Sequence, residues 1–272
     1  MERKPVNERD FVQSIERGFA VLNAFDEQHP RMGMPEVAQR TGLSRPATRR
    51  ILLTLQELGY LANAGGTWFL TPLVLTLAQR YSASHSMIEW AQPLLLRLAE
   101  ETQESASLAT LVGTEVVYVA RVQVRRILSN TVDVGSRMPT TATSTGRVLM
   151  AWRGPDFLAK VIAEQGMPRL TAHTVIDPAR LADILREVRQ QGYCMVESEL
   201  EMGLLAASVP VRDVSGEVTA AIAYSTSLGR FTREHVETKV IPLMLDIAGE
   251  LSRLLGHGSA GKTPRPERDA FY

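Results

Sequence analysis

Residues 35–70 read PEVAQRTGLSRPATRRILLTLQELGYLANAGGTWFL, and this stretch decides the N-terminal fold. Proline is favoured in a first helical turn and Val37 and Ala38 can face inward, so Pro35 to Thr41 reads as a short helix that Gly42 ends. A glycine there takes the left-handed conformation that turns the chain sharply, and Leu43 can plug the angle between two helices. Ser44 then stands as the N-cap of a helix running to about Leu58, with Ala47, Ile51, Leu55 and Leu58 as its buried stripe by spacing. The other face carries Arg45, Pro46, Thr48 and Arg49. Next, Tyr60 to Ala62 and Trp68 to Leu70 are short apolar runs around Asn63-Ala64-Gly65-Gly66-Thr67, the pattern of a tight hairpin.

Working outward toward the N-terminus, Val12, Ile15, Phe19 and Leu22 recur at steps of three and four and predict a first amphipathic helix, followed by the loop DEQHPRMG. Three helices and a hairpin predict a winged helix-turn-helix over residues 11–71. Between Glu36 and Glu57 lie Arg40, Arg45, Arg49 and Arg50 and no acidic residue, so positive charge is focused on the third helix. Taken alone, an arginine-bearing helix is a solvated face. In this sequence of helix, glycine turn, capped helix and hairpin, exposed residues near the start of the third helix reach base edges and phosphates. Double-stranded DNA is therefore the expected partner of Ser44, Arg45, Pro46, Thr48, Arg49 and Arg50, with Thr67 and the wing amides on the phosphate backbone.

Toward the C-terminus, Thr71-Pro72 opens a linker helix over 72–85. Leu73, Leu75, Leu77 and Ala78 give it more apolar surface than one side of a lone helix can hide, which predicts packing in a homodimer. Ile88, Ala91, Leu95 and Leu98 mark a further helix in which Pro93 is either a kink or the start, and the domain boundary falls near residue 85. After residue 103 the pattern changes to strands at 105–111, 115–122, 128–134, 193–197, 204–211 and 218–225. A helix capped by Asp177-Pro178 and a closing helix over 232–255 lie among and after them. Residues 86–256 thus read as an α+β domain with an antiparallel sheet, and the polar stretch 257–272 as a flexible tail.

Two features of this second domain suggest a cavity. Strand alternation puts Leu204, Ala206 and Ser208 on one face, and Ala221, Ala223 and Ser225 on one face of another strand. The run PTTATSTG (139–146), before a helix of Arg147 to Trp152, offers Thr143, Ser144 and Thr145 hydroxyls and free amides at a helix N-terminus, where a carboxylate is favoured. Read blandly, the small residues only let a helix pack close and the hydroxyls only cap it. Arg121, ending a strand, either holds a carboxylate bidentately or reaches solvent.

The whole-chain totals narrow the class without choosing a function. Among 272 residues, 44% are hydrophobic and 22% charged, and thirty basic side chains balance thirty acidic ones. Any nucleic-acid surface is therefore local. The one cysteine, Cys194, excludes an internal disulfide framework and suits a reducing compartment; it reads as an inert strand thiol. The charged start lacks an apolar core and no membrane-length apolar run follows, so a soluble, cytoplasmic protein with no membrane partner is expected. His29, His85, His173, His235 and His257 are scattered, predicting no metal site, and no GxSxG occurs. Residues 256–263, GHGSAGKT, match a phosphate-loop pattern, but a helical pattern precedes them and Pro264 follows at once. No nucleotide or other cofactor is expected from this motif, and no enzyme activity.

The arrangement resembles the isocitrate-lyase-regulator (IclR) family over residues 11–256. The resemblance is carried by VQSIERGFAVLNAF (12–25), LSRPATRRILLTLQELGYL (43–61), VGSRMPTTATSTGRVLMA (134–151) and ESELEMGLLAASVPVRDVSGEV (197–218). VYVAR, SRMPTTATSTGRVL and VIPLMLDIAGEL are most similar to regulators of aromatic-acid catabolism that sense protocatechuate, 4-hydroxybenzoate or related acids. The resemblance implies a GAF-like ligand domain and dimers that pair into tetramers on DNA. It also implies effector contacts at Ile127, Asn130, Met138, Ser144, Thr145, Leu204, Ala206, Ala223 and Ser225. Met34 stands where many members cap the second helix with Ser or Thr, and Thr141 where relatives carry other residues. The function expected is a ligand-responsive DNA-binding regulator of an aromatic-acid catabolic operon, an activator by subgroup. The alternatives are a repressor sensing an aliphatic keto acid, or an enzyme with an accessory winged helix.

Overall fold

The structure, a computed structural model, describes residues 10–77, 86–124 and 132–258. The chain divides into two compact units, Met1–Ser84 and His85–Tyr272.

The first unit runs α1 (Gln13–Asn23), β1 (Met32–Gly33), α2 (Met34–Thr41), α3 (Arg45–Glu57), β2 (Leu61–Ala64) and β3 (Thr67–Leu70). Gly42 ends α2 in the left-handed conformation at φ 67°, which sets up the turn into α3. Gly65 and Gly66 close the hairpin at φ 61° and 83°, the double positive φ that a two-residue type I′ turn demands. The expected loop before α2 holds the two-residue strand β1, which pairs Met32 with Trp68 and Gly33 with Thr67. So short a strand carries no periodic signal. Met34 lies inside the first turn of α2, one residue past its cap, Gly33.

Two expected faces are corrected. Val12, Ile15 and Phe19 are 55%, 57% and 54% exposed, while Val21, Ala24 and Phe25 are buried. Helix α1 has two apolar faces, and packing against the other helices, rather than periodicity, selects between them. On α3 the buried residues are Thr48, Leu52 and Leu55. Leu58 is exposed, and Ala47 and Ile51 are half-buried along an open groove with Ile15 and Phe19. Thr48 is buried because its Oγ1 donates to the Ser44 carbonyl at 3.1 Å, which leaves its methyl free to face the core. The expected linker helix begins as a tight 3₁₀ turn over Pro72–Val74 with Thr71 capping it; residues 78–85 of that expectation lie outside the described residues.

The second unit runs α4 (Ser86–Thr102), β4 (Ala106–Val112), β5 (Glu115–Val122), β6 (Arg137–Met138), α5 (Ser144–Ala151), α6 (Pro155–Gln165), α7 (Pro178–Gln191), β7 (Cys194–Glu197), β8 (Leu204–Arg212) and β9 (Val218–Ser227). It closes with α8 (Arg233–His235), a π turn (Val236–Val240) and α9 (Ile241–Leu254). The strands form one antiparallel sheet in the order β6-β5-β4-β9-β8-β7. One face packs Leu108, Leu205, Val209 and Ile222 against Leu95 and Leu98 of α4 and Met244, Ile247 and Leu251 of α9. On the other, Ala109, Val116, Val196 and Ala221 meet Val148 and Leu149 of α5, Val161 of α6 and Leu181 and Leu185 of α7. The α+β architecture with an antiparallel sheet is the one expected.

Several boundaries differ. Pro93 sits within α4, so it does not start that helix. The strand expected at 128–134 is absent over 132–134, where the chain runs as loop and turn, and 125–131 lie outside the described residues. Helix α6 was not anticipated, although Pro155 in its first turn and Gly154 and Gly166 at its ends are ordinary boundary signals. Helix α5 starts at Ser144, ahead of the expected Arg147. The closing helix widens into the π turn just ahead of Pro242, whose ring and missing N–H disturb the bonding of the preceding turn. Of GHGSAGKT, residues 256–258 form a turn; the rest, with the expected tail, lies outside the described residues.

Candidate functional site

The DNA-facing candidates are held by the turn between α2 and α3. Ser44 is the N-cap of α3 by position, though its side chain makes no capping bond. Arg45, Pro46, Arg49 and Arg50 are exposed on the first two turns. Thr48 does not join them, for the reason given above. Arg40 is also spent elsewhere: its guanidinium meets Asp26 at 2.5 Å and His29 Nδ1 at 2.8 Å, tying the loop after α1 to α2. The hydrogen bond from His29, joined by the Arg40 charge, holds the Asp26 carboxyl below its ordinary range. Thr67 starts β3 beside the glycine turn and is half-buried. Sequence reasoning missed Arg31, whose guanidinium lies 4.2 Å from the centre of the Phe69 ring on the wing sheet.

In the second unit the register lines up a row of side chains across the sheet. Arg121 of β5 is opposite Ser107 of β4, Ser107 opposite Ala223 of β9, and Ala223 opposite Ser208 of β8. One step along, Ala206 is opposite Ser225. Small side chains in both rows leave space above the sheet, and the first turn of α5 roofs it. Thr143 caps that turn, accepting from Gly146 N at 3.1 Å and donating to the Pro139 carbonyl at 2.7 Å. Ser144 and Thr145 each hydrogen-bond the buried Ser208 hydroxyl, at 2.9 and 3.0 Å. Gly146 is required here by contact: a Cβ would lie 2.2 Å from the Thr140 carbonyl oxygen.

The result is a cavity of about 70 Å³. It gathers Arg121, Met138, Thr143, Ser144, Thr145, Leu204, Ala206, Ala223 and Ser225 from the expected set. Ile127 and Asn130 lie outside the described residues. Ser105, Ser107, Tyr118, Glu199 and Leu200 also line it and were missed. An apolar cavity of roughly 150 Å³ takes benzene, so a ring enters this one by moving wall side chains. Arg121 donates to Ser107 Oγ at 3.1 Å, while its Nε is buried without a hydrogen-bond partner among the described residues. Burial lowers the Arg121 pKa, with Tyr118 and Asp133 acting in the opposite direction. Such a cation is poised for an anion.

The wall behind the α5 turn is fixed by an ion pair that no spacing argument revealed. Arg147 is 2% exposed and holds Glu199 through two bonds, 2.7 and 2.6 Å, while its Nε donates to the Thr141 carbonyl at 2.9 Å. Glu199 also accepts from Val175 N at 2.8 Å. Cys194, wholly buried, has its thiol pushed up to about 12 by desolvation, which leaves it inert. Among the described residues no group of acidic, histidine or cysteine side chains is arranged to hold a metal, and no helix is long and apolar enough to cross a membrane.

Comparison with known proteins places both units. Residues 14–65 match the IclR helix-turn-helix domain, and residues 79–253 match the bacterial transcriptional regulator IclR C-terminal domain. The Pca regulon regulatory protein of Pseudomonas putida is 38% identical over 247 residues, covering 90% of this chain and 85% of that protein. The p-hydroxybenzoate hydroxylase transcriptional activator of Acinetobacter baylyi is 34% identical over 255 residues, covering 92% and 94%. An IclR homolog from Microbacterium hydrocarbonoxydans, crystallised with 4-hydroxybenzoate, shares the fold with a TM-score of 0.78 at 24% identity, covering 89% of this chain and 98% of that one.

Proposed function

The chain belongs to the IclR family of bacterial transcription regulators, and from that premise we propose that its cavity senses an aromatic carboxylate and its winged helix reads the operator of a catabolic operon for such acids. The observation that carries the ligand class is Arg121, a cation whose buried Nε has no partner among the described residues, beside a floor of small side chains. A carboxylate buried without partners is costly, and this cavity offers a guanidinium together with first-turn amides and hydroxyls of a helix N-terminus. The ring then lies over Met138, Leu204 and Ala206. The names of the two relatives, one an activator in p-hydroxybenzoate metabolism, support the same class and favour activation.

On DNA, Arg45, Pro46, Arg49 and Arg50 contact the major groove and Ser44, Thr67 and the glycine turn meet phosphates. Thr48 is removed from the contact set by its burial. A single half-site gives little specificity, so the working form is a homodimer or a pair of dimers, in the cytoplasm where the operator is. No catalytic step is assigned to any residue. Calorimetry of the full chain with benzoate, 4-hydroxybenzoate and protocatechuate, beside a gel shift on the region upstream of its gene, tests the reading. Binding of an aliphatic keto acid and none of these three rejects the aromatic class while leaving the regulator intact.

A further inference from the structure

The register of β4 against β5 is not continuous. Leu108 is opposite Ala120 and Ala109 is opposite Tyr118, so Val119 is an extra residue on β5. In an unbroken strand, residues 118 and 121 point to opposite faces. The bulge changes that: Val119 and Ala120 both pack into the core on the α4 and α9 side, while Tyr118 and Arg121 both line the cavity on the other. A bulge next to a site commonly re-aims a side chain, and here it adds a second polar group beside the cation.

We propose that Tyr118 is an effector-contacting residue that binds the same carboxylate as Arg121, its phenol donating to one carboxylate oxygen while the guanidinium holds the other. The inference rests on the reading of the cavity as an aromatic-acid sensor and adds a residue that neither the sequence pattern nor the family resemblance supplied. Tyr118 fits the role by position and by state. It lines the cavity together with Arg121, Ser144 and Thr145. It shares the cavity wall with Thr145, whose own hydroxyl is held by Ser208. Thr145 is therefore satisfied without Tyr118, and a phenol that turns to a carboxylate strands no hydroxyl there. Burial raises the phenol's pKa, so it stays a neutral donor through the physiological range.

The experiment compares the full-length chain with Tyr118→Phe, by calorimetry with benzoate and 4-hydroxybenzoate, with melting and operator gel shifts as controls of fold. The expected result is a loss of about tenfold or more in affinity for both acids by the same factor, since a hydrogen bond to a charged group is removed, with melting and operator binding unchanged. Unchanged affinity for both acids overturns the proposal. So does a loss confined to 4-hydroxybenzoate, which assigns Tyr118 to the ring hydroxyl instead. A crystal structure of the wild-type chain with benzoate is the second measurement and does not depend on the variant folding. A carboxylate oxygen within hydrogen-bond distance of the Tyr118 hydroxyl is expected, and one beyond about 3.5 Å overturns the proposal. If the wild type binds no aromatic acid at all, the reading of the cavity fails first and this assignment falls with it.

Discussion

Replacing Arg147 by Met leaves Glu199 buried with its charge uncompensated, because the guanidinium supplies two of its hydrogen bonds and, among the described residues, only the Val175 amide remains. Both partners are well inside, the side chains 2% and 10% exposed, so solvent screening offers little relief. Breaking a buried pair from one side costs about 3–5 kcal/mol. For a unit of this size each kcal/mol lowers the melting point by about 2–4 °C, so the second unit is expected to melt about 6–20 °C lower. Replacing both partners, Arg147→Met with Glu199→Leu, removes the stranded charge and should recover a large part of that loss. Calorimetric melting of the parent, the two single variants and the double variant checks the argument. It is refuted if both single variants lie within about 1 kcal/mol of the parent, or if their losses simply add in the double variant.

Gly146→Ala puts a methyl 2.2 Å from a backbone oxygen that cannot step aside; denaturant titration should show a loss at or above the upper end of the ~1–3 kcal/mol usual for overpacking. Arg49→Ala should weaken operator binding by about 1–3 kcal/mol in a gel shift if the side chain reads a base. Thr48→Ala should instead lower the melting point of the first unit through its lost bond to the Ser44 carbonyl and leave the affinity of folded protein for the operator unchanged. Cys194, with its thiol pushed up to about 12, should resist a thiol-specific reagent at pH 8 in the native protein and react once guanidinium unfolds the second unit.

Much of the fold was legible because it rests on local chemistry. Gly42, the Gly65-Gly66 pair, Asp177-Pro178 and the alternation along β8 and β9 each impose a backbone state or a face without help from distant residues. The errors lie where tertiary packing decides. Thr48 and Ala47 are neighbours on α3, and the period alone favoured the alanine; only the hydroxyl's return to the Ser44 carbonyl lets the threonine turn inward. Helix α1 offered two apolar stripes, and a count of spacing found the one that faces out. In the candidate site, the small residues of β8 and β9 and the capped turn of α5 were visible in the sequence. Glu199 and Tyr118 were not. The first is 52 residues from its partner Arg147, and the second reaches the cavity only through an extra residue in a strand that otherwise reads as regular.

The tip of the wing has a consequence for how operators diverge. Its two residues are both glycine, fixed at positive φ, so the loop has no side chain at its apex with which to tell one base from another. Any substitution there that adds a reading group also strains the turn. On the proposed mode of DNA binding, discrimination between promoters then falls to the exposed positions of α3, while the apex serves every sequence alike. If that mode holds, descendants of this protein acquire new target sites by altering a few arginines and leave the glycine apex of the wing untouched.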